Sequence, residues 1–448
     1  MTQGQATFNS KTKSKTFTKL LENTEIKLLI WLVFSSLLAI FIRYRLFPIL
    51  TVDIKNNLME DIINKIRNDG EISFDTLKKL DINIFYIYLV TGLSYLTAKP
   101  LIAIKMLTSF FDIFLALGVF TIIKEYTNKK TKAIIGYTAT LFLPSVISSG
   151  AIWGHGESAC AAFIVWMLYS ILKNNSRSAV ICFALAISIK FQAIFMLPLL
   201  LVWFLNQNKK NYKELLLLPG IYLILSLPAL LLKINFLDLL NIYPEQINNI
   251  KTLGSGLPNL PFLVSTTLNG GGNVFYSTTQ PGISTGIDSI TNSFIGLSNG
   301  LAIMVFSLLI WLGWLFKPNW TWVQSIRFGL FSSLILPFLL PKMASRYYFI
   351  ATIMALLYAF LAPKRFWFLF IIELISFISI LVSIFNISPS AAPIPGQYLV
   401  FAIAFLICFV GFEMISGFEP FLTLQQRVAA LSQKMMLKDS GSENKLLK

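Results

Sequence analysis

The chain has 448 residues, of which 55% are hydrophobic and 13% are charged, and its formal net charge at pH 7 is +16. A water-soluble protein of this length cannot cover so much apolar surface, so the composition excludes a soluble globular enzyme. A charge of this sign also fits a nucleic-acid partner, but the sequence has no RNA-binding motif. Most Lys and Arg lie in short loops and tails, which we interpret as orientation signals and contacts to anionic membrane lipid.

Apolar runs recur along the chain, and many are long enough to cross a hydrocarbon layer of about 30 Å. Backbone groups in lipid must bond within their own segment, so these runs predict helices and an all-α polytopic membrane protein. Hydropathy and loop charge together predict about 12 transmembrane helices. The predicted spans are Ile26–Ile42, Leu101–Ile123, Ala133–Gly150, Ala159–Leu172, Ala179–Ile189, Ala193–Leu205, Leu215–Leu232, Phe294–Phe316, Phe328–Leu340, Tyr347–Leu361, Phe366–Phe385 and Tyr398–Ile415.

Lysines cluster before the first span, which predicts a cytoplasmic N-terminus by the positive-inside rule. No small-residue cleavage site follows that apolar run, so we expect an uncleaved span. The C-terminus is then also cytoplasmic, and the protein is integral to the cytoplasmic (inner) membrane. The predicted parts are a tail (1–25), a transmembrane domain (26–418) with outside loops at 43–99 and 234–292, and a second tail (419–448).

The first outside loop carries seven of the 21 acidic residues. Within it, the segment Asp53–Arg67 has apolar residues four apart, at Ile54, Leu58, Ile62 and Ile66, which is typical of an amphipathic helix at the membrane interface.

The segment Ile84–Leu96 is apolar but only 13 residues long, so it either spans or forms a re-entrant or interfacial helix. If it spanned, the Lys-rich loop Lys124–Lys132 would lie outside. The second alternative keeps those lysines inside and is the one we favour.

Asp53 follows the first span by about ten residues and lies just outside the membrane in this topology. A carboxylate sheltered at the surface can act as a general base on a hydroxyl, although a solvated acid is the simpler interpretation. Glu60 and Asp61 fit the same role less well. No paired acid accompanies Asp53, so no metal is predicted.

The segment Trp153-Gly154-His155-Gly156-Glu157 lies on the same predicted side. Its glycines allow close approach of backbone to a ligand, Glu157 can accept hydrogen bonds from a sugar, and His155 can orient a substrate. A tight turn with an interfacial Trp153 anchor explains the same residues.

Two further segments place cations on the predicted outside. Lys190, followed by Gln192, joins two apolar segments and either meets an anion or snorkels to the interface. The loop Pro341–Tyr348 carries Lys342 and Arg346 against the usual charge bias, and an Arg fork fits phosphate oxygens.

Three acids fall within the predicted spans, and intramembrane acids are functional candidates by default. They are Asp112, Glu373 and Glu413, of which Asp112 is able to pair with Lys105 two turns away. The three cysteines lie in apolar spans without metal-type spacing, so neither a disulfide nor zinc is implied. We expect no cofactor.

These motifs, in order over about residues 26–365, resemble those of the GT-C superfamily of integral-membrane glycosyltransferases. The nearest resemblance is to its bacterial mannosyltransferase-like branch, related to protein O-mannosyltransferases and dolichyl-phosphate-sugar enzymes. That family has an acid in the first outside loop, followed by Trp-Gly-Gln-x-Asp, Lys-x-Gln-x5-Pro, Asn-Ala-Pro-Asn and Pro-Lys-Met-His-(Asp/Glu)-Arg-Tyr. The matching residues are Asp53; Trp153, His155 and Glu157; Lys190, Gln192 and Pro198; Pro258 and Asn259; and Pro341, Lys342, Met343, Arg346 and Tyr347.

The chain departs from these motifs at His155 and Glu157, which replace Gln and Asp, and at Ala344-Ser345, which replaces the His-acid pair. The resemblance implies an inverting hexosyltransferase with a polyprenyl-phosphate sugar donor. Its acceptor is a hydroxyl on a glycan, lipid or protein, at the extracytoplasmic face. Asp53 is then the base, and Arg346 with Lys190 or Lys342 stabilises the leaving phosphate.

Two other functions remain open from the sequence. A transporter or flippase of a lipid-linked saccharide has the same composition, but such proteins often contain internal repeats, which this chain lacks. A non-catalytic membrane scaffold is suggested by the motif substitutions.

Overall fold

The structure is a computed structural model. It describes residues 24–49, 51, 54–70, 74–80, 82–97, 99–207, 212–231, 234–248, 256–268, 285–316, 320–385 and 394–417. The described residues are helical, with no strand among them, which confirms the all-α prediction. In chain order, the α-helices are α1 Thr24–Leu46, α2 Ile54–Asp69, α3 Phe74–Leu77, α4 Ile84–Ser94, α5 Pro100–Thr127, α6 Lys130–Phe142, α7 Pro144–Ile147, α8 Glu157–Leu172, α9 Ser176–Ile187, α10 Leu197–Leu205, α11 Leu217–Leu231, α12 Phe236–Asn248, α13 Leu260–Leu268, α14 Thr285–Phe316, α15 Trp322–Leu339, α16 Phe349–Leu361, α17 Phe366–Ile384 and α18 Gly396–Ile415.

Among the described residues, seven helices are long and apolar enough to cross a membrane. They lie in α1, α5, α11, α14, α15, α17 and α18. An eighth is obtained if α6 and the segment Pro144–Trp153, which meet at a 47° bend, form one broken span. These findings support an integral membrane protein, while the count of 12 stays a prediction.

The other four predicted spans coincide with shorter apolar helices, namely α8, α9, α10 together with the 3-10 segment before it, and α16. Most side chains of α8 and α16 are buried within the bundle. An apolar helix shorter than about 17 residues is more often a buried core helix than a lipid-facing span. The shortness of α8 and α16 therefore agrees with a central position in the fold.

The first predicted outside loop contains the two expected helices. Helix α2 buries Met59, Ile62 and Ile63 and half-buries Ile66, which is the i, i+3, i+4, i+7 pattern of one amphipathic face. That face packs on α4 and α5. Helix α4 is largely buried, and Asn83 caps its N-terminus, with a side chain that accepts a hydrogen bond from the Ile84 amide at 2.7 Å.

The second predicted outside loop, 234–292, also has helical structure. It contains α12, α13 and the first residues of α14. Between α12 and α13, Gly256 forms an isolated antiparallel bridge with Ala344. The two loops that carry the Pro-Asn and Pro-Lys-Met motifs are therefore adjacent.

Glu373 and Glu413, two of the three intramembrane acids, connect segments that are distant in the chain. The Glu373 carboxylate accepts hydrogen bonds from the Ser145 amide at 2.8 Å and its hydroxyl at 2.7 Å, where α7 begins after the bend. The Glu413 carboxylate pairs with Arg365 at 2.5 Å and accepts a hydrogen bond from the Tyr358 hydroxyl.

The pairing predicted for Asp112 with Lys105 is wrong. Asp112 pairs with Arg43, from Nε to Oδ2 at 2.7 Å, and accepts a hydrogen bond from Ser158. The Lys105 ammonium instead donates to the backbone carbonyls of Phe47 and Ile49, at 2.9 and 2.6 Å. Those carbonyls follow α1 and have no partner within a helix, so they bind the Lys105 ammonium in place of Asp112.

Candidate functional site: a buried carboxylate between two cations

The centre of the candidate site is Glu157, the first residue of α8, whose side chain is fully buried. Its Oε1 lies 2.5 Å from the Lys190 ammonium and 2.9 Å from Nε of Arg346. The Ser149 hydroxyl donates to Oε2 at 3.2 Å. Lys190 and Arg346 are only 1% and 3% exposed, so three charges are held out of water together. We call Glu157, Lys190 and Arg346 the charge cluster.

A π-helical turn in the backbone before α8 places Glu157 in this position. Residues Ser148–Trp153 form a π-helical turn, and such turns recur at functional sites. Gly154 ends the turn at φ +80°, in the left-handed region that favours glycine. A Cβ at this position would lie 3.2 Å from the Ile104 side chain. The glycine is required both by the conformation and by the close approach of α5.

Trp153 lies beneath the Arg346 guanidinium, which is 4.8 Å from the centre of the indole ring. The His155 ring packs edge-on against the Trp153 ring, with 4.6 Å between the two ring centres. Both rings are 2% exposed, so the alternative of an interfacial tryptophan anchor does not describe Trp153. The cation–π contact adds to the ion pair in fixing the guanidinium.

Lys190 and Gln192 follow α9, where the helix gives way to a 3-10 segment, Phe191–Met196. Lys190 does not snorkel, since its ammonium turns inward to Glu157. Gln192 is 3% exposed, and its side-chain amide adjoins the Cys160 thiol.

The loop that carries Arg346 is braced from several sides. Asn259 donates from Nδ2 to the carbonyls of Pro337 and Leu340, at 3.1 and 2.9 Å, and thereby fixes the end of α15. Ser345, one of the two substituted motif residues, is bonded to the Ser383 hydroxyl at 2.7 Å. Asn259 therefore positions this loop.

Lys342 adopts φ +63°, a left-handed conformation that is uncommon for a lysine and often marks a functional site. Its ammonium donates to the Ile247 carbonyl at 3.3 Å. Tyr347 is half-buried, and its ring lies 6.1 Å from that of Phe195 in an edge-on contact.

A cavity of about 650 Å³ adjoins the charge cluster. Three lysines line it, Lys79, Lys190 and Lys342, from three separate segments, and no Asp or Glu does so among the described residues. Gln192 and Tyr347 also line it, which brings four of the predicted residues to one wall. The volume falls in the range of small-molecule sites.

A polar network joins the two outside loops at the edge of this cavity. The Asn83 amide donates to the hydroxyls of Tyr243 and Tyr222, at 2.9 and 3.2 Å, and Gln246 donates to the Ile82 carbonyl at 3.0 Å. Burial raises the pKa of Tyr243 well above its ordinary value, so the phenol stays protonated and donates to the Ile187 carbonyl. The cavity wall is thus fixed by hydrogen bonds on both loops.

Sequence reasoning missed several residues at this end of the molecule. Arg43 is 1% exposed and donates to the carbonyls of Ala39 and Leu141 as well as to Asp112. Its position in the last turn of α1 is the usual place for a cation, so the sequence carried no signal that it turns inward. Lys79 was missed because it lies in a run of charged residues next to Lys78.

Asp53, the predicted base, lies outside the described residues. Within the ranges that the structure describes, no group of three His, Cys, Asp or Glu side chains is arranged to hold a metal ion. No protein-family model matches the sequence, and no curated protein matches it.

Proposed function

We propose that the protein is a membrane glycosyltransferase that moves a monosaccharide from a polyprenyl-phosphate donor to an acceptor hydroxyl. One observation carries the proposal. Trp153, Glu157, Lys190 and Arg346 belong to three motifs that are far apart in the chain, yet they meet around one buried carboxylate beside a cationic cavity. A scaffold has no evident need for this convergence of cations, whereas a phosphate leaving group does.

In the proposed reaction, the acceptor oxygen bonds to the anomeric carbon while the bond from that carbon to the donor phosphate breaks. Asp53 takes the proton of the acceptor hydroxyl, and polyprenyl phosphate leaves with the electron pair. The new glycosidic bond forms on the opposite face of the ring, so the configuration inverts. Lys190 and Lys342, which line the cavity, bind the leaving phosphate, whose charge grows in the transition state.

Glu157 and Arg346 have different roles in this scheme. The carboxylate of Glu157 already accepts contacts from Lys190, Arg346 and Ser149, so we assign it to ordering the cations and not to binding the sugar. Arg346 is not part of the cavity wall, and we assign it to holding Glu157 and the loop of Lys342 in place.

The proposal is tested with purified protein, radiolabelled polyprenyl-phosphate sugar and a panel of hydroxyl acceptors. We expect a glycosidic product from the unaltered protein. We expect Asp53→Asn to lower the rate of transfer by at least about 100-fold, the usual contribution of a general base. Asp69→Asn, an exposed acid at the end of α2, is the matched control and retains activity. Movement of the labelled lipid across vesicles without any product favours a flippase, and undiminished transfer by Asp53→Asn removes the assignment of the base.

A further inference from the structure

Helix α5 carries three polar residues at helical spacing, Lys105, Thr108 and Asp112, within a long apolar span. Residues three and four positions apart lie on one face of a helix, so the three side chains form a single row, which we call the α5 stripe. They are 1%, 0% and 0% exposed. Buried polar groups within a span are costly unless they are bonded, so the partners of the stripe are informative.

On one side, the α5 stripe holds the chain that enters the first predicted outside loop. The Asp112 carboxylate binds Arg43, in the last turn of α1, at 2.7 Å. The Lys105 ammonium binds the carbonyls of Phe47 and Ile49, at 2.9 and 2.6 Å. The stripe therefore fixes the path of the backbone from the end of α1 as far as Ile49.

On the other side, the same stripe contacts the segment that leads to the charge cluster. The Thr108 hydroxyl lies 3.2 Å from the Gly150 carbonyl of the π-helical turn, within hydrogen-bonding distance. The Ser158 hydroxyl, in the first turn of α8, donates to the carboxylate of the stripe. The stem of Lys105 packs against Gly154, where an added Cβ would lie 3.5 Å from the lysine Cγ. One face of α5 thus contacts two segments that are far apart in the chain.

Stability alone does not explain why charges occupy this face. Replacing buried charges by apolar residues of similar size is often neutral or stabilising, because burial removes the charges from water at a cost. Apolar side chains would therefore hold α1 against α5 equally well. Hydrogen bonds to particular carbonyls are directional, so they fix one position of the backbone as apolar packing does not.

We propose that the α5 stripe positions the proposed base relative to the charge cluster, and that Lys105 is the positioning residue on the side of the base. Asp53 follows Ile49 by four residues, a length of chain that spans at most about 14 Å. A shift of the carbonyls that Lys105 binds is therefore passed to Asp53 over a short length of chain. The inference rests on the proposed function, because it takes Asp53 as the base.

The first test measures position without any substrate. Spin labels are attached to the full-length protein in nanodiscs through Asp53→Cys and Lys342→Cys, after its three native cysteines are replaced by alanine. Because Lys342 lines the cavity, the distance between the labels reports where residue 53 lies relative to the cavity wall. We expect one narrow distance distribution, and we expect Lys105→Met to broaden it about twofold, since the segment loses the cation that binds both carbonyls. An unchanged width would overturn the proposal.

Lys99→Met is the matched control, since Lys99 is exposed at the N-terminus of the same helix and its side chain makes no capping hydrogen bond. It should leave the distribution unchanged, and equal broadening in the two variants would overturn the assignment of Lys105. Size-exclusion profiles establish that each variant folds. If Lys105→Met aggregates, Lys105→Gln takes its place, because a shorter neutral side chain cannot hold both carbonyls, and an unchanged width in that variant is equally decisive.

A second arm separates positioning from stability by transfer kinetics with radiolabelled polyprenyl-phosphate sugar. Lys105→Met should lower kcat roughly 10- to 100-fold, the effect of a misplaced catalytic group, and leave the KM for the donor within about twofold. In the Asp53→Asn background the same substitution should cause no further loss, because the base that it positions is already absent. Equal losses in both backgrounds would show a smaller folded fraction and overturn the positioning role.

The two arms distinguish a failure of this inference from a failure of the proposed function. Broadening by Lys105→Met in a protein that transfers no sugar would end the assignment of Asp53 as a base, while the placement of residue 53 by Lys105 would stand. Sugar transfer that survives Lys105→Met at the full rate would end this inference alone.

Discussion

The two ends of the helical bundle use the same residue types in opposite ways. At one end Lys190 pairs with Glu157, and the two side chains are 2% and 0% exposed. At the other end Lys173 pairs with Glu125 at nearly the same distance, 2.6 Å, but the side chains are 41% and 39% exposed. Exposed pairs contribute little to stability because water and salt screen them, whereas a buried pair is costly to assemble and costlier to break. The motif residues lie at the end where both side chains of each pair are buried.

The largest effect is expected from Glu157→Gln. The substitution leaves Lys190 and Arg346 buried without their carboxylate, which should lower the free energy of unfolding by roughly 3–5 kcal/mol. The measurement is denaturant unfolding in detergent, followed by tryptophan fluorescence. Glu125→Gln is the control at the other end and should leave the midpoint unchanged. Similar shifts for the two variants would remove the distinction between the ends.

Arg43→Met tests the second buried pair. The substitution leaves the Asp112 carboxylate buried without its cation, with only the hydrogen bond from Ser158. We expect a loss of about 3 kcal/mol in the free energy of unfolding. The double variant Arg43→Met with Asp112→Asn removes the stranded charge and should recover part of that loss. Additive losses in the double-mutant cycle would mean that the two side chains do not depend on each other.

An intermediate effect is expected from Gly154→Ala. An alanine must adopt φ +80° and meet the Ile104 side chain, at a cost of about 1–2 kcal/mol in unfolding free energy. Gly300→Ala is the control, since it lies within α14 with open space around it, and should stabilise by roughly 0.5–1 kcal/mol. If both substitutions changed the unfolding free energy in the same direction, neither the backbone conformation of Gly154 nor its contact with Ile104 would require a glycine.

The smallest effect is expected from Lys130→Gln at the exposed end. Lys130 pairs with Glu25 at 2.5 Å, with side chains 49% and 61% exposed. We expect a change of at most about 0.5 kcal/mol in unfolding free energy, further reduced at high salt. A loss as large as that of the buried pairs would show that exposure does not separate the two ends.

The helices themselves were predictable because apolar runs report local structure. Helix α2 was predicted from four apolar positions, of which Ile62 and Ile66 lie on the buried face. The division into 12 spans was harder, because short central helices such as α8 and α16 do not carry the length signal of a span.

The partners of the buried charges were less predictable. The spacing of Lys105 and Asp112 places them two turns apart on one helix, but Arg43 is 69 residues away in sequence and is the observed partner. Single-sequence patterns report neighbours along a helix and contain no signal for contacts between helices. The motif residues were found by resemblance, and their meeting at Glu157 required the fold.

The most direct test of the account is an electron cryomicroscopy map of the full-length protein with a non-hydrolysable polyprenyl-phosphate sugar. The account predicts density for the phosphate in the cavity, within hydrogen-bonding distance, about 3 Å, of the ammonium of Lys190 or Lys342. Phosphate density at the other end of the bundle, beside Arg365 and Glu413, would contradict it.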